Sequence, residues 1–259
     1  LRDGLEQLVE LADCVPKAFR DVAAPVLSGC LDVAANPGFG GGARSLAVEL
    51  ACSLCERAPA TARRCAAGDL KWPAKAVDAC FDMLAEDEPR DDPAAWEHAP
   101  GPPPELDAAA GRELGAEFLD RLARSLRPKA VLPRALGNAA RALAAAAADL
   151  NQWRGARAAC FALTQVAESV NDLESLKKTD DVPLLCGAAE PRKKLGGKRR
   201  RRDWVDALLP FATQYPVACV RCAALDALAQ SCEDLGPLLQ LETHAVVVPA
   251  LCGGIRGDG

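Results

Sequence analysis

The stretch RSLAVELACSLCE, Arg44–Glu56, decides how the chain reads. Its small and aliphatic side chains recur at helical spacing, and it closes on Leu54-Cys55-Glu56, a triplet that returns along the chain. The other copies are Leu11-Ala12-Asp13, Leu122-Ala123-Arg124, Val166-Ala167-Glu168 and Ser231-Cys232-Glu233. Each closes an alanine- and leucine-rich stretch of helix-forming sequence. Successive triplets lie 43, 68, 44 and 65 residues apart. Two intervals are close to 43, and the two long ones exceed it by 25 and 22, as an insertion inside a regular repeat would produce. A period of roughly 40 to 47 residues with two helices per unit is that of HEAT or armadillo arrays, whose units bury their apolar faces against their neighbours. The expected fold is all-α, a HEAT-repeat α-solenoid in which antiparallel helix pairs stack into a superhelix.

Composition agrees with that expectation. Half of the residues are apolar but only 4% are aromatic, so the core has to be built from Ala, Leu and Val at close helix contacts. The chain starts within a helix that ends near Asp13–Pro16 and stops within another after His244–Cys252, as expected of a segment of a longer array. It shows no basic and apolar leader and no run of 18 apolar residues; the longest candidate, Ala139–Leu150, is broken by Arg141 and Asp149. A soluble intracellular protein without a membrane partner is expected. The cysteines fall at small-residue positions of helices, such as Cys52, Cys160 and Cys232, and read as free buried thiols rather than disulfides. Cys52-x-x-Cys55 and Cys219-x-x-Cys222 have metal-ligand spacing, but they lie in helix-forming sequence and only two histidines, His98 and His244, could complete a site. No metal is expected. Neither a phosphate-binding glycine loop nor a catalytic triad or carboxylate pair stands out, so the reading is of a non-enzyme without a cofactor.

The repeats are placed by their turn residues. Residues 1–17 are the end of a truncated repeat and 18–61 a full one, whose helices near Phe19–Ala35 and Ala43–Ala58 are separated by Asn36-Pro37-Gly38 and Gly40-Gly41-Gly42. Residues 65–127 form a repeat with an acidic, proline-rich insertion at 86–105. Residues 129–172 form another, 180–237 a fourth with a basic insertion at 191–202, and 242–259 the start of a truncated one. Arg44, Arg112, Arg157 and Arg221 stand near the starts of second helices, where an arginine ladder would tie neighbouring repeats together. Trp72 and Trp204 begin helices and read as structural, and Trp153 as packed over a turn.

LVELADCVPKAFRDVAAPVL (Leu8–Leu27), Arg44–Glu56, Leu119–Ala123, Val131-Leu132-Pro133 and VRCAALDAL (Val220–Leu228) resemble, in order and spacing, the middle HEAT repeats of the importin beta or karyopherin beta family, in particular its importin beta-3 (karyopherin beta-3) branch. The resemblance covers most of the chain apart from about Pro89–Pro104 and Cys186–Asp203. It implies a nuclear transport receptor that shuttles between cytoplasm and nucleus. Basic cargo would bind on the concave face lined by second helices, Ran in its GTP form would release it, and Phe-Gly nucleoporins would bind between first helices at the pore. The alternative is a HEAT scaffold subunit of a phosphatase or chromatin complex, without a Ran-dependent step. A monomer is expected.

The insertions differ in sign. The first carries Glu86, Asp87, Glu88, Asp91 and Asp92 together with Trp96, an aromatic that would mark a docking point. The resemblance implies a loop near the Ran and cargo surfaces; the other reading is a solvated linker. The second carries eight cations in Arg192–Arg202, read as a solvated loop rather than a nucleic-acid site, since no aromatics interleave to stack bases. The formal charge of −5 becomes −13 when those eight are set aside, so the repeats themselves are acidic. Cargo contacts are therefore expected from Asp13, Glu56, Glu168 and Glu233, supported by Asp172 and Asp234. The other reading of these residues is of solvated helix ends.

Overall fold

The structure, a computed structural model, describes residues 1–65, 71–86, 111–175 and 197–256; for 171–175, 197–201 and 254–256 it describes the backbone alone. Among the described residues all regular structure is helical. The chain divides into two compact units, Leu1–Glu86 with Glu105–Arg134, and Asp87–Pro104 with Ala135–Gly259.

In the first unit, α1 (Arg2–Cys14) is followed by a 3-10 turn at Pro16–Phe19, α2 (Ala23–Ala34), α3 (Gly41–Arg57), the short α4 (Pro59–Arg64), α5 (Trp72–Leu84), α6 (Gly111–Ser125) and the start of α7 (Pro128–Ala148). Helices α2 and α3 pack as one hairpin, α5 and α6 as the next. The second helices form a layer in which α3 touches α1 on one side and α6 on the other, while α2 meets α5 in the layer of first helices. The burial pattern follows from these positions. Helix α2 buries Ala23, Leu27, Cys30, Leu31 and Ala34, a single stripe. Helix α3, packed on three sides, buries Ala47, Val48 and then every residue from Leu50 to Cys55, which is why its sequence is apolar nearly all round. Ala47, Ala51, Cys52 and Cys55 are 0% exposed, the small side chains that close helix packing requires.

Hydrogen bonds from side chains hold the hairpins and their turns. Trp72 Nε1 donates to the Leu27 carbonyl (3.0 Å), joining α5 to α2. Asn36 Oδ1 accepts from the Gly38 N–H (2.8 Å) and sets the α2–α3 turn. Arg44, buried at the start of α3, donates from Nε to the Ala34 carbonyl at the end of α2 (2.7 Å) and with its fork to the Glu86 carboxylate after α5. It thus satisfies a carbonyl left open by one helix and ties that hairpin to the next. Between α5 and α6, Gly115 is required by space: a Cβ there would come within 2.9 Å of Met83 Cβ and 3.0 Å of the Cys80 carbonyl oxygen.

The division between the units falls within α7, one residue after its internal Pro133. The second unit continues through a 3-10 turn at Leu150–Gln152, α8 (Trp153–Ser175), α9 (Gly197–Thr213), α10 (Ala218–Asp234) and α11 (Leu238–Arg256). Helices α9 and α10 form a hairpin; α10 also packs on α8, and α11 on α9. Trp204 Nε1 donates to Ser231 Oγ inside that hairpin (2.7 Å). Arg221 donates to the carbonyls of Tyr215 and Pro216 at the end of α9, as Arg44 does to Ala34. Arg157 is buried with its guanidinium 5.7 Å from the Phe161 ring. Trp153 is buried under the guanidinium of Arg154.

The basic insertion differs from the solvated loop expected for it. Lys198–Arg202 form the first turns of α9, while Arg192–Lys194 lie outside the described residues. Lys and Arg are good helix formers, and Arg202 pairs with Asp206 one turn on (2.8 Å).

Candidate protein-binding surface

The recurring triplet has one structural meaning in both units. Its middle residue is a small side chain, with Ala12, Cys55 and Ala167 at 0% and Ala123 at 2% exposure, and only Cys232 is half-buried. Its third residue is exposed in every copy: Asp13, Glu56, Arg124, Glu168 and Glu233. Neighbours along a helix point about 100° apart, so a buried contact residue sets its successor at the edge of the packed face. The charged series is therefore displayed by the same contact that builds the core.

In the first unit both displayed acids meet an arginine of the following second helix. Arg57 Nε of α3 lies 3.6 Å from Asp13 Oδ1 at the end of α1. Arg121 of α6 reaches Glu56 of α3 with Nε on Oε1 (2.8 Å) and Nη2 on Oε2 (3.2 Å). The same guanidinium binds both oxygens of Glu49, two turns earlier on α3, and Glu117 on its own helix. Hydrogen bonds from Arg121 hold the Glu49 carboxyl below its ordinary range although burial opposes them. Bonds to Glu49 and Glu56 in turn hold the Arg121 guanidinium more firmly protonated. Acids at the ends of α1 and α3 oppose the helix dipole, and these arginines relieve that. On α6 the series is interrupted by Arg124, which pairs with Asp120 (3.0 Å).

In the second unit, Glu168 of α8 and Glu233 of α10 are exposed on two helices that pack together. Asp234 is half-buried and accepts from Gln230 Nε2 (3.2 Å). Asp172 belongs to α8, but its side chain lies outside the described residues.

Of the acidic insertion only its root is described. Glu86 is half-buried and bound to Arg44, and its carboxylate lies against Gly111, the first residue of α6. Asp87, Glu88, Asp91, Asp92 and Trp96 lie outside the described residues. Asp82, in the last turn of α5, has its carboxyl pushed up by burial and by the nearby charges of Asp78 and Glu86.

The cysteine pairs offer little reactive sulfur. Burial pushes the Cys55 thiol up to about 12 and Cys52 further in the same direction; Cys219 is buried and Cys222 is also shifted up. Among the described residues, no three His, Cys, Asp or Glu side chains are grouped as metal ligands would be. No helix among them is long and apolar enough to cross a membrane.

Glu49 and Arg121 were absent from the acidic set expected from sequence. Two signals point to them: Glu117 and Arg121 are spaced i,i+4, and Glu49 lies seven residues before Glu56 and shares its helix face. That Arg121 faces α3 rather than solvent is not written in either spacing.

The fold is that of the HEAT-repeat karyopherins, an all-α solenoid class. Solved structures of the yeast karyopherin Kap121p match 95% of this chain, which spans 21% of theirs. Kap121p bound to the extreme C-terminus of the protein phosphatase Cdc14p matches with a TM-score of 0.73 at 21% identity, and Kap121p bound to Nup53p equally. Kap121p bound to RanGTP matches with a TM-score of 0.71 at 22% identity. No family model and no curated protein matches the sequence.

Proposed function

We propose that this chain is part of an importin-beta-like transport receptor, which binds basic cargo through the acids displayed on its second helices and shuttles between cytoplasm and nucleus. The observation that carries this is the exposure of Asp13, Glu56, Glu168 and Glu233 at one recurring position of the second helices, interrupted on α6 by Arg124. One Kap121p structure is of a variant in which two Asp and one Glu, at intervals of 43 and 42 residues, are replaced by Lys. Asp13 and Glu56 stand 43 apart and have the same character. Kap121p also forms complexes with Pho4p, Ste12p, Nup53p and RanGTP, which supports basic cargo proteins, a nucleoporin and Ran in its GTP form as partners here. Asp172 and Asp234 extend the proposed cargo contacts, and the acidic residues Glu86, Asp87, Glu88, Asp91 and Asp92 with Trp96 form a Ran- or cargo-proximal segment in this reading. Each exposed ion pair contributes only about 0.2–1 kcal/mol, so cargo affinity requires several at once.

The test is fluorescence anisotropy of a lysine-rich nuclear-import peptide with the chain and with an Asp13→Lys, Glu168→Lys, Glu233→Lys variant, which leaves the surroundings of Arg121 untouched. Binding that survives physiological salt, is lost in the variant and is reversed by RanGTP is the expected result. Equal binding by both proteins that salt abolishes would leave only diffuse attraction to an acidic surface and favour the scaffold reading.

A further inference from the structure

We propose that Arg121 is an autoinhibitory contact: it fills, from within the chain, a guanidinium seat on α3 that an arginine of a basic partner would otherwise take. The inference rests on the basic-partner reading above. A guanidinium has five N–H donors, and all five of Arg121 are spent on carboxylates. Nε and Nη2 hold Glu56, Nη1 and Nη2 hold Glu49, and the second Nη1 donor holds Glu117 (3.2 Å). Glu49 and Glu56 are seven residues apart, two turns of one helix face, and the planar fork grips both at once. A lysine ammonium has three donors and no fork, so it cannot reproduce that grip.

Three features separate this contact from a simple structural tie. A tie between α3 and α6 needs one carboxylate, whereas three surround Arg121. The packing of these helices has an apolar basis besides it: α3 buries Leu50 and Leu54, and α6 buries Leu119 and Leu122, all at 2% exposure or less. The seat is also within reach of a partner: the side chains of Glu49 and Glu56 are 39% exposed, and that of Glu117 is 54% exposed. A basic segment laid along the second helices therefore finds Glu56 occupied, and engages this step only where Arg121 gives way.

The experiment uses the 259-residue chain, its Arg121→Gln variant, and two labelled peptides of equal length, one arginine-rich and one with lysine only, read by anisotropy at physiological salt. Arg121→Gln is expected to bind the arginine peptide about tenfold more tightly than the parent, the effect of freeing two carboxylates. The gain should be smaller for the lysine peptide and vanish when Glu49→Gln and Glu56→Gln are added. Arg121→Lys, which keeps the charge without the fork, should fall between parent and Arg121→Gln. Parent binding that neither Arg121 variant improves overturns the autoinhibitory contact and leaves the basic-partner reading standing. Failure of all proteins to bind either peptide, while circular dichroism shows them folded, overturns both.

Discussion

Arg44 shows how one side chain links two levels of the fold. Its Nε closes the end of α2 at Ala34, and its fork holds Glu86 at the root of the acidic insertion. Its side chain is 7% exposed and that of Glu86 21%, so removing the guanidinium would leave a half-buried carboxylate and an open carbonyl. We expect Arg44→Ala to destabilise the chain by about 2–4 kcal/mol in urea unfolding, and Arg44→Lys to recover only part of that because lysine lacks the fork. Glu49 makes a prediction of a different kind. Its folded pKa is depressed by Arg121, so its contribution to stability is present above the ordinary carboxylate value of about 4.3 and is lost as pH falls through the lowered folded value. Unfolding midpoints measured from pH 6 down to pH 3 should fall less steeply in Glu49→Gln than in the parent; parallel curves would show that the pair contributes nothing.

The contact of α5 with α6 turns on Gly115. In an open helix, Gly→Ala gains about 1 kcal/mol through propensity. Here the added methyl would press on Met83 and on the α5 backbone at Cys80 and Leu84, so Gly115→Ala is expected to lose about 1–3 kcal/mol instead. The sign of the change in a thermal or urea melt decides the matter. A gain would mean that α5 shifts aside without cost. Helix α3 illustrates the same dependence on neighbours: it is buried from Leu50 to Cys55 because α1, α2, α4 and α6 all pack on it, whereas α10 buries one stripe from Cys219 to Ser231 and leaves Leu225 exposed. The sequence of α3 alone, read by periodicity, shows no single face.

Across the whole molecule the cysteines report on burial. Cys14 and Cys252 are exposed, while Cys30, Cys52, Cys55, Cys80, Cys160 and Cys219 are buried, and their thiols belong to the packing of both units. Native-state labelling with an aromatic disulfide reagent, followed by mass spectrometry, should modify Cys14 and Cys252 rapidly and leave those six protected until denaturant is added. Rapid modification of Cys52 or Cys55 under native conditions would contradict the packing of α3 described above. The same burial pattern gave the repeat its legibility. A small residue followed by a charged one, as in Ala12-Asp13 or Cys55-Glu56, is visible in the sequence because close helix contacts admit few residue types.

What the sequence determined by itself is the all-α solenoid class and, in the recurring triplet, the buried small residue with the exposed charge after it; the short α4 (Pro59–Arg64) was not legible in it. These follow from local propensity and from a spacing that every repeat must satisfy. Helix-forming residues also placed Lys198–Arg202 in α9, although their charge suggested a loop. What only the tertiary structure decided is which displayed charges are already engaged. Asp13 and Glu56 read alike in sequence, yet one meets Arg57 at 3.6 Å, and the other shares a saturated guanidinium with Glu49 and Glu117. The arginine that pairs with Glu56 lies 65 residues away on α6 and is shared with Glu49, seven residues earlier on α3, and ion pairing depends on distance in space, which no repeat period encodes.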